Sequence, residues 1–212
     1  HGKAKRLGVP VATADRRELD RLAAGANHQG FVAEVAPFAY SSLDEILAES
    51  GVRGEPPFIL LLDCIQDPQN LGTLLRTAEA VGIHGVVIPR HRAAEVTPAV
   101  EKASAGAVEH LRIAQEANLT LVIQRLKAAG VWVAGIEDTP AASDYAKANL
   151  TGPLAIVVGS EGKGITRLVR ESCDFVLRLP MRGKVTSLNA AVAGSVVLYE
   201  AIKQRARAAA AT

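Results

Sequence analysis

The sequence predicts an α/β protein with a mostly parallel sheet and helices on both faces. From residue 58 onward, apolar runs of strand length alternate with segments of helical period. These runs are rich in Val, Ile and Leu throughout, as expected of parallel strands that are buried on both faces. Of the 212 residues, 49% are hydrophobic and only 4% aromatic, which suits a core of closely packed strands and helices.

The elements follow in order from residue 58. The predicted strands are 58–62, 85–88, 110–113, 131–136, 154–158 and 175–179. The predicted helices are 71–81, 98–105, 119–129, 165–171 and 188–204. The segment 119–129 illustrates the helical pattern, because Leu119, Val122, Ile123 and Leu126 fall on one face.

The first 56 residues lack this regular alternation and predict a separate organisation. Residues 1–37 are interpreted as a fragment of a small α/β domain, with a helix near 15–23 and a strand at 31–35. Residues 38–56 are interpreted as a linker that includes a short helix at 43–49 and a Gly- and Pro-rich break. The larger α/β domain then occupies residues 57–212.

Composition limits the cellular compartment and the ligands that the sequence predicts for this protein. No apolar run is long enough to cross a membrane and no signal peptide is present, which predicts a soluble protein. Cys64 and Cys173 lie far apart without a CxxC pattern, which favours core packing in a cytoplasmic protein. The five histidines lack zinc-type spacing, so no metal site is predicted. The net charge is +2, and the basic ends of the chain either contact phosphates or form solvated surface.

Three junctions between strands and helices are rich in Gly, Pro and polar residues, and ligands of open α/β sheets bind at such junctions. The first junction follows the strand at 58–62. Asn70 can cap the next helix, and Arg76 lies six residues further on, so both can face one cleft. A capped helix with a surface arginine is the alternative interpretation.

The second junction, residues 157–164, contains three glycines that let the backbone approach a ligand closely. Its spacing matches neither a P-loop nor the dinucleotide fingerprint. Glu161 would repel a nucleoside triphosphate, so a ligand with little negative charge fits better. A tight turn without a ligand explains the pattern equally well.

The third junction, residues 179–191, begins with an apolar ledge of Leu, Pro and Met. Ser187 and Asn189 then precede the last helix, and a helix cap accounts for only one of these two polar residues. The GxSxG pattern of a hydrolase nucleophile is absent around Ser187.

In this order and spacing, the three junctions resemble the three motifs of the SpoU branch of the SPOUT RNA methyltransferases. The matching residues are Asn70, Gly72 and Arg76, then Gly159, Glu161, Gly162 and Gly164, and then Pro180, Met181, Ser187, Leu188 and Asn189. Upstream, Leu19-Asp20 and the segment Asn-His-Gln-Gly-Phe at 27–31 are similar to the end of the small substrate-recognition domain in the TrmH and RlmB group.

The resemblance implies an S-adenosylmethionine-dependent RNA 2′-O-ribose methyltransferase. It implies a C-terminal trefoil knot and a homodimer with the active site near the subunit interface. Residues 1–37 then become the C-terminal part of an RNA substrate-binding domain, and residues 57–212 the SpoU-type catalytic domain. The catalytic residues implied by the resemblance are Arg76, Asn70, Glu161, Ser187 and Asn189. The implied cofactor-binding residues are Gly159, Leu179, Met181, Leu188, Ala134 and Gly135.

Several substrates share these motifs. The RlmB-like branch, which modifies a guanosine of large-subunit rRNA, is the nearest resemblance, because of the His-Gln-Gly segment. A tRNA guanosine methyltransferase of the TrmH type and an rRNA adenosine methyltransferase of the thiostrepton-resistance type are alternatives. A non-catalytic RNA-binding or ribosome-assembly protein on the same fold is an alternative of another class. An NAD-dependent Rossmann enzyme is disfavoured, because the Gly-rich fingerprint is missing after the first strand.

Overall fold

The computed structural model describes residues 2–25 and 27–210. The chain divides into two compact units, one up to Pro37 and one from Phe38 onward. The smaller unit contains helices α1 (Gly2–Arg6) and α2 (Arg16–Leu22). Helix α2 begins after Asp15, whose side chain accepts a hydrogen bond from the Glu18 amide (2.9 Å). The helix predicted near 15–23 is therefore confirmed.

The strand predicted at 31–35 is wrong. This segment has no regular secondary structure, and its aromatic residue, Phe31, is 75% exposed. Alternating apolar residues form a strand only when a neighbouring strand supplies hydrogen bonds and a core covers one face. The part of this unit that the structure describes contains no strand to pair with.

The larger unit contains the sheet and the remaining helices. Its strands are β1 (Phe58–Asp63), β2 (Gly85–Pro89), β3 (Ile113–Glu116), β4 (Trp132–Ile136), β5 (Ser143–Asp144), β6 (Leu154–Gly159) and β7 (Phe175–Arg178). Its helices are α3 (Leu43–Arg53), α4 (Pro68–Ala80), α5 (Pro98–Ala103), α6 (Leu119–Ala128), α7 (Arg167–Ser172) and α8 (Ala190–Ala210). No helix in the described part of the chain is both long and apolar enough to cross a membrane.

The strands form one sheet in the order β3-β2-β1-β6-β4-β7-β5, and every pair is parallel. The two central strands, β1 and β6, are buried along their whole length. One face of the sheet packs against α4 and α8, and the other packs against α3 and α6. The predicted mostly parallel sheet with helices on both faces is therefore confirmed. The trefoil knot stays a prediction.

Parallel strands place all their carboxyl ends along one side of the sheet, which we call the carboxyl end of the sheet. Strands β1, β6, β4 and β7 end there at Asp63, Gly159, Ile136 and Arg178. Their starts lie at the opposite side, the amino end of the sheet. The three motif-bearing junctions follow β1, β6 and β7, so the topology brings all three to the carboxyl end.

Element boundaries differ from the prediction in several places. Strand β3 begins at Ile113 rather than at residue 110, because residues Ala107–His110 form a 3₁₀ turn. The two-residue strand β5 is too short to give a sequence pattern. Helix α3 runs to Arg53, beyond the predicted residue 49, and begins with a capping box in which Ser42 and Glu45 satisfy each other's backbone amides.

Candidate active site

A hollow of about 410 Å³ opens at the carboxyl end of the sheet, between the ends of β4, β6 and β7 and the start of α8. Its walls combine apolar side chains with glycine backbone and three carboxylates. The lining residues are Ile136, Glu137, Asp138, Val158, Gly159, Ser160, Glu161, Gly162, Lys163, Gly164, Leu177, Leu179, Met181, Thr186, Ser187, Leu188, Ala190 and Ala193. A concave site that combines apolar walls with polar groups is typical of a small-ligand pocket.

The glycine-rich loop after β6 forms one wall of the hollow. Ser160 and Gly164 exchange two backbone hydrogen bonds (3.0 and 2.9 Å), which closes the loop on itself. A Cβ atom at Gly159 would lie 2.2 Å from the carbonyl carbon of Gly164, so no other residue fits there. Gly164 adopts a φ of +64°, in the left-handed region that glycine favours.

Three polar side chains meet beside the hollow: Asn70 from α4, Glu161 from the glycine-rich loop and Asn189 from the start of α8. We call them the amide–carboxylate cluster. The Asn189 side-chain amide donates to Asn70 Oδ1 (2.9 Å) and to Glu161 Oε1 (2.9 Å). The Asn70 amide also donates to Glu161 Oε1, and to Asp67 Oδ2 (3.0 Å). One residue from each motif is therefore fixed in a single orientation.

Helix caps explain how two of these side chains reach the cluster. The sequence predicted that Asn70 caps α4, but Asp67 is the cap: its side chain accepts a hydrogen bond from the Gln69 amide (3.0 Å). Asn70 lies within the first turn and its side chain turns towards Glu161. Asn189 does cap α8, since its Oδ1 accepts from the backbone amides of Ala191 (2.9 Å) and Val192 (3.2 Å).

The remaining two predicted catalytic residues lie apart from the cluster. Ser187 lines the hollow and forms no side-chain hydrogen bond with any residue the structure describes. Arg76 is exposed on the third turn of α4 and does not line the hollow. Six residues advance a helix by about 9 Å and rotate it by about 240°, so Arg76 and Asn70 point in different directions. Within one chain they do not face one cleft.

The predicted cofactor residues divide in the same way. Gly159, Leu179, Met181 and Leu188 line the hollow. Ala134 and Gly135 do not, because they lie inside β4 where the strand is covered on both faces. A Cβ atom at Gly135 would lie 2.8 Å from Ile165 Cδ1, so this glycine serves packing within the core.

The three residues that follow in sequence, 136–138, line the hollow instead. Glu137 is held by Arg170, whose Nη1 donates to Glu137 Oε1 (3.1 Å) and Oε2 (3.2 Å). The sequence signal for Glu137 and Asp138 was available: two acidic residues follow directly on a buried strand, at the end of the sheet where ligands bind.

Asp63 is a third polar residue, beside Glu137 and Asp138, that the sequence analysis did not select. Its side chain is only 3% exposed, and its Oδ2 accepts from the Thr166 amide (2.6 Å). Asp63 therefore ties the segment after the glycine-rich loop to the end of β1. An acidic residue at the last position of a wholly buried strand is the signal that could have found it.

Neither cysteine offers a nucleophile. Burial, and then the nearby Asp63 carboxylate, raise the pKa of the Cys64 thiol. Burial, and then Asp174, raise the pKa of Cys173 to about 12. Both thiols are therefore protonated at neutral pH and unreactive. Within residues 2–25 and 27–210, no group of three His, Cys, Asp or Glu side chains is arranged to hold a metal ion.

Comparison with known proteins assigns the family. Residues 57–199 match the model of the SpoU rRNA methylase family. This chain belongs to the SpoU family. Residues 1–41 match a second model, described as RNA 2′-O ribose methyltransferase substrate binding. The resemblance noted in the three motifs is thereby confirmed.

Curated relatives of the SpoU protein agree with this assignment. It is 46% identical over 202 residues to YacO of Bacillus subtilis (strain 168), assigned to the TrmH family of tRNA/rRNA methyltransferases. The match covers 95% of this chain and 80% of that protein. A Staphylococcus aureus (strain MSSA476) protein with the same family assignment is 44% identical and covered to 81%.

Solved structures connect the fold to the cofactor. The SpoU methyltransferase AviRb from Streptomyces viridochromogenes, in complex with S-adenosylmethionine, superposes with a TM-score of 0.72 at 28% identity. The match covers 80% of this chain and 67% of AviRb. An S-adenosylmethionine-bound rRNA methyltransferase from Sinorhizobium meliloti gives a TM-score of 0.68 at 28% identity, covering 78% of this chain and 61% of that one. The predicted enzyme class, an S-adenosylmethionine-dependent RNA methyltransferase, and its cofactor are confirmed.

The hollow of this SpoU protein fits that cofactor. Ile136, Val158 and Leu177 supply apolar walls for an adenine ring. Residues 181–188 form no backbone–backbone hydrogen bond with any described residue, so their N–H and C=O groups are free to bind the ring edge. The carboxylates of Glu137 and Glu161 face a ligand that carries a sulfonium and an ammonium group.

Proposed function

We propose that this enzyme methylates the ribose 2′-hydroxyl of a guanosine in large-subunit rRNA, acting as a cytoplasmic homodimer. The amide–carboxylate cluster carries the proposal, because it places a fixed carboxylate on the rim of the cofactor hollow. The match of residues 1–41 to a family described by 2′-O ribose methylation supports the choice of atom. The motifs and the His-Gln-Gly segment at 28–30 favour the RlmB-like substrate.

The cluster supplies what such a transfer needs from the protein. S-adenosylmethionine, when bound, supplies a methyl group that is already electrophilic. The chain must align the ribose oxygen and accept its proton, and alignment alone contributes about 7–11 kcal/mol in well-oriented systems. Both amides of the cluster donate to Glu161 Oε1, which leaves Oε2 without a described partner. We assign Oε2 to hold the ribose hydroxyl and receive its proton.

Arg76 serves better as a phosphate ligand than as a base. A guanidinium stays protonated in proteins and cannot accept a proton, but it forms paired hydrogen bonds with phosphate oxygens. Its exposed position, without an ion pair to any described residue, leaves it free for the RNA. We propose that Arg76 grips the phosphate beside the target ribose.

The position of Arg76 also supports the homodimer. Arg76 lies outside the hollow of its own chain, so we propose that it serves the hollow of the partner subunit. Next to Arg76, Thr77 Oγ1 lies 2.8 Å from Ser195 Oγ, and this contact joins α4 to α8. The surface beside Arg76 therefore includes α8, and we propose it as the interface. The outer face of α8 exposes Val192 and Tyr199. Val197, also in α8, lies in the core of its own chain.

Mapping of methylated nucleotides tests the proposed function. The full chain is incubated with tritiated S-adenosylmethionine and either deproteinised large-subunit rRNA or bulk tRNA, and the modified nucleotide is identified by mass spectrometry. We expect a 2′-O-methylguanosine in the rRNA. Label only in tRNA supports the TrmH-type alternative, and label on a base contradicts the proposed chemistry. The absence of cofactor binding in calorimetry would indicate a non-catalytic RNA-binding protein.

A further inference from the structure

We propose that the loop Arg90-His91-Arg92 binds the phosphate backbone of the RNA on the side of the cluster away from the cofactor hollow. We call it the basic loop. The proposal rests on the proposed function only in taking RNA as the substrate. It adds a second RNA contact, separate from Arg76 and from the N-terminal unit, and it concerns affinity rather than methyl transfer.

The backbone of the basic loop is held in one conformation. The Arg90 amide donates to the Glu116 carbonyl (2.8 Å), and the Ala94 amide donates to the Ile65 carbonyl (2.8 Å). Arg92 adopts a φ of +61°, in the left-handed region that costs a side-chain-bearing residue about 1 kcal/mol. The hydrogen bonds on both sides of Arg92 hold the loop in this conformation.

The charges of the basic loop are exposed and uncompensated. All three of its side chains are exposed. In residues 2–25 and 27–210, no carboxylate forms an ion pair with Arg90 or Arg92, and this includes Glu95 nearby on the same segment. Elsewhere, exposed arginines such as Arg112 and Arg125 are paired with Glu49 and Asp44. A rigid loop with unpaired guanidinium groups is suited to an anionic partner.

The basic loop lies next to the proposed active site. The Gln66 side chain donates to the Arg92 carbonyl (3.4 Å), and Gln66 directly precedes Asp67, which binds Asn70 of the cluster. Burial raises the pKa of Cys64 overall, and the charges of Arg92 and Lys163 both oppose that rise, so the basic loop and the glycine-rich loop both lie near this residue. From Gln66 to Asn70 the chain spans at most about 14 Å. The basic loop therefore lies within a few nucleotides of the ribose that we place at the cluster.

Phosphate, rather than a base edge, is the group that this loop fits. The two guanidinium groups stand on an exposed surface, where phosphate oxygens can approach them and form paired hydrogen bonds. Phosphate contacts position an RNA without reading its sequence, and each one contributes to the salt dependence of binding.

The test removes both charges and keeps the conformation. In the variant Arg90→Gln/Arg92→Asn, asparagine tolerates the left-handed backbone at residue 92. Affinity for a fluorescein-labelled uridine 20-mer is measured by anisotropy from 50 to 200 mM KCl. We expect binding about tenfold weaker, and a salt slope lower by about 1.4 for the loss of two phosphate contacts on a single strand. With rRNA as substrate, KM should rise while kcat and cofactor affinity stay unchanged.

A matched control separates position from net charge. Arg112→Gln/Arg125→Gln removes the same charge from the amino end of the sheet, and should leave RNA affinity and salt slope close to wild type. Equal losses in the two variants, or no loss in either, would overturn the proposal. A fall in kcat together with cofactor affinity would also overturn it, because the loop would then shape the hollow. Since binding is measured without methylation, an error in the proposed ribose chemistry leaves this result interpretable.

Discussion

The two ends of the sheet use arginine in opposite ways. At the amino end, the guanidinium of Arg205 lies over the Phe58 ring, 4.4 Å from its centre. It donates to the carbonyls of Pro56 (3.1 Å), Pro57 (3.0 Å) and Gly152 (2.6 Å). By contrast, the basic loop, which follows β2 at the carboxyl end, and Arg76 on α4 present guanidinium groups that no described residue pairs with.

This difference separates arginines whose guanidinium groups stabilise the fold from arginines whose guanidinium groups are available to bind a ligand. Arg205 connects α8 to the starts of β1 and β6, so its hydrogen bonds contribute to folding. Arg76 and the arginines of the basic loop contribute little to folding, because solvated charges without partners add almost nothing to stability. A variant of Arg205 should therefore change stability and spare activity, and variants of Arg76 and the basic loop should change RNA methylation or RNA binding and spare stability.

Arg76→Ala should give the largest effect. Loss of the phosphate grip should lower kcat by about 10²–10³-fold, with cofactor affinity and unfolding free energy nearly unchanged. Tritiated methyl transfer to rRNA and calorimetry with S-adenosylmethionine measure these quantities. Full activity in this variant would refute the assignment.

Mixing two inactive variants sharpens the same prediction. If Arg76 serves the partner subunit, Arg76→Ala and Glu161→Gln subunits, unfolded and refolded together, should regain about a quarter of wild-type activity through heterodimers with one intact site. If Arg76 serves its own chain, each heterodimer subunit carries one lesion in its own site, and the mixture stays inactive.

Arg205→Ala should come next, and should change stability alone. Three carbonyls lose a charged donor and the contact with Phe58 is lost, so the unfolding free energy should fall by about 3 kcal/mol. Urea denaturation measures the loss, and kcat well below the unfolding temperature should match wild type. Arg207→Ala, exposed two residues further on, should cost less than about 0.5 kcal/mol. Equal losses in the two variants would contradict the role of Arg205.

Glu161→Gln should lower kcat by about 10²-fold, because the amide that replaces the carboxylate cannot accept the ribose proton. The side chain is exposed, so stability should change by less than about 1 kcal/mol. Methyl transfer at saturating RNA and cofactor, together with urea denaturation, separates the two effects. Glu171→Gln, which removes a carboxylate from an exposed ion pair with Arg167, is the control and should retain full activity. A large loss of stability with unchanged kcat would assign Glu161 a structural role.

His84 should give the smallest effect, through pH. Its Nδ1 accepts from the Phe58 amide (3.0 Å), and burial, then the charge of Arg53, hold the pKa of His84 below its ordinary value. Below about pH 6.5 the unfolded chain binds a proton that the folded chain does not. The unfolding free energy should therefore fall as the pH drops below 6.5, by at most about 1.4 kcal/mol per pH unit.

Urea denaturation from pH 7.5 to 5 measures this dependence. His84→Asn keeps an acceptor for the Phe58 amide but does not titrate, so its stability should fall less steeply with decreasing pH. Parallel curves for the two proteins would show that His84 is not the group responsible.

The sequence predicted most clearly the strands that are buried on both faces of the sheet. The central strands β1 and β6 could be predicted because both are covered on both faces, which requires unbroken apolar runs. Their adjacency could not be predicted, since β6 pairs with β1 across a separation of more than 90 residues. Strand pairing at that distance depends on packing, which a local pattern does not contain.

The sequence indicated which residue types form the site, but it indicated less well where each side chain lies in the fold. Asn70, Glu161 and Asn189 were all selected, and the structure brings them into contact. Arg76 was placed in the same cleft from its spacing alone, although a helix rotates by about 240° over six residues. Ala134 and Gly135 lie just before residues 136–138, which line the hollow, and a strand pattern does not show where the sheet stops covering its own backbone.

The hydrogen bond between Asn70 and Asn189 joins residues that are 119 positions apart. Contacts of such long sequence separation form late in folding, after the entropy of closing the intervening loop has been overcome. During synthesis, Asn70 leaves the ribosome well before Asn189 has been translated. A nascent chain that ends before residue 189 therefore cannot assemble the amide–carboxylate cluster, so the site is completed only when synthesis reaches the last helix.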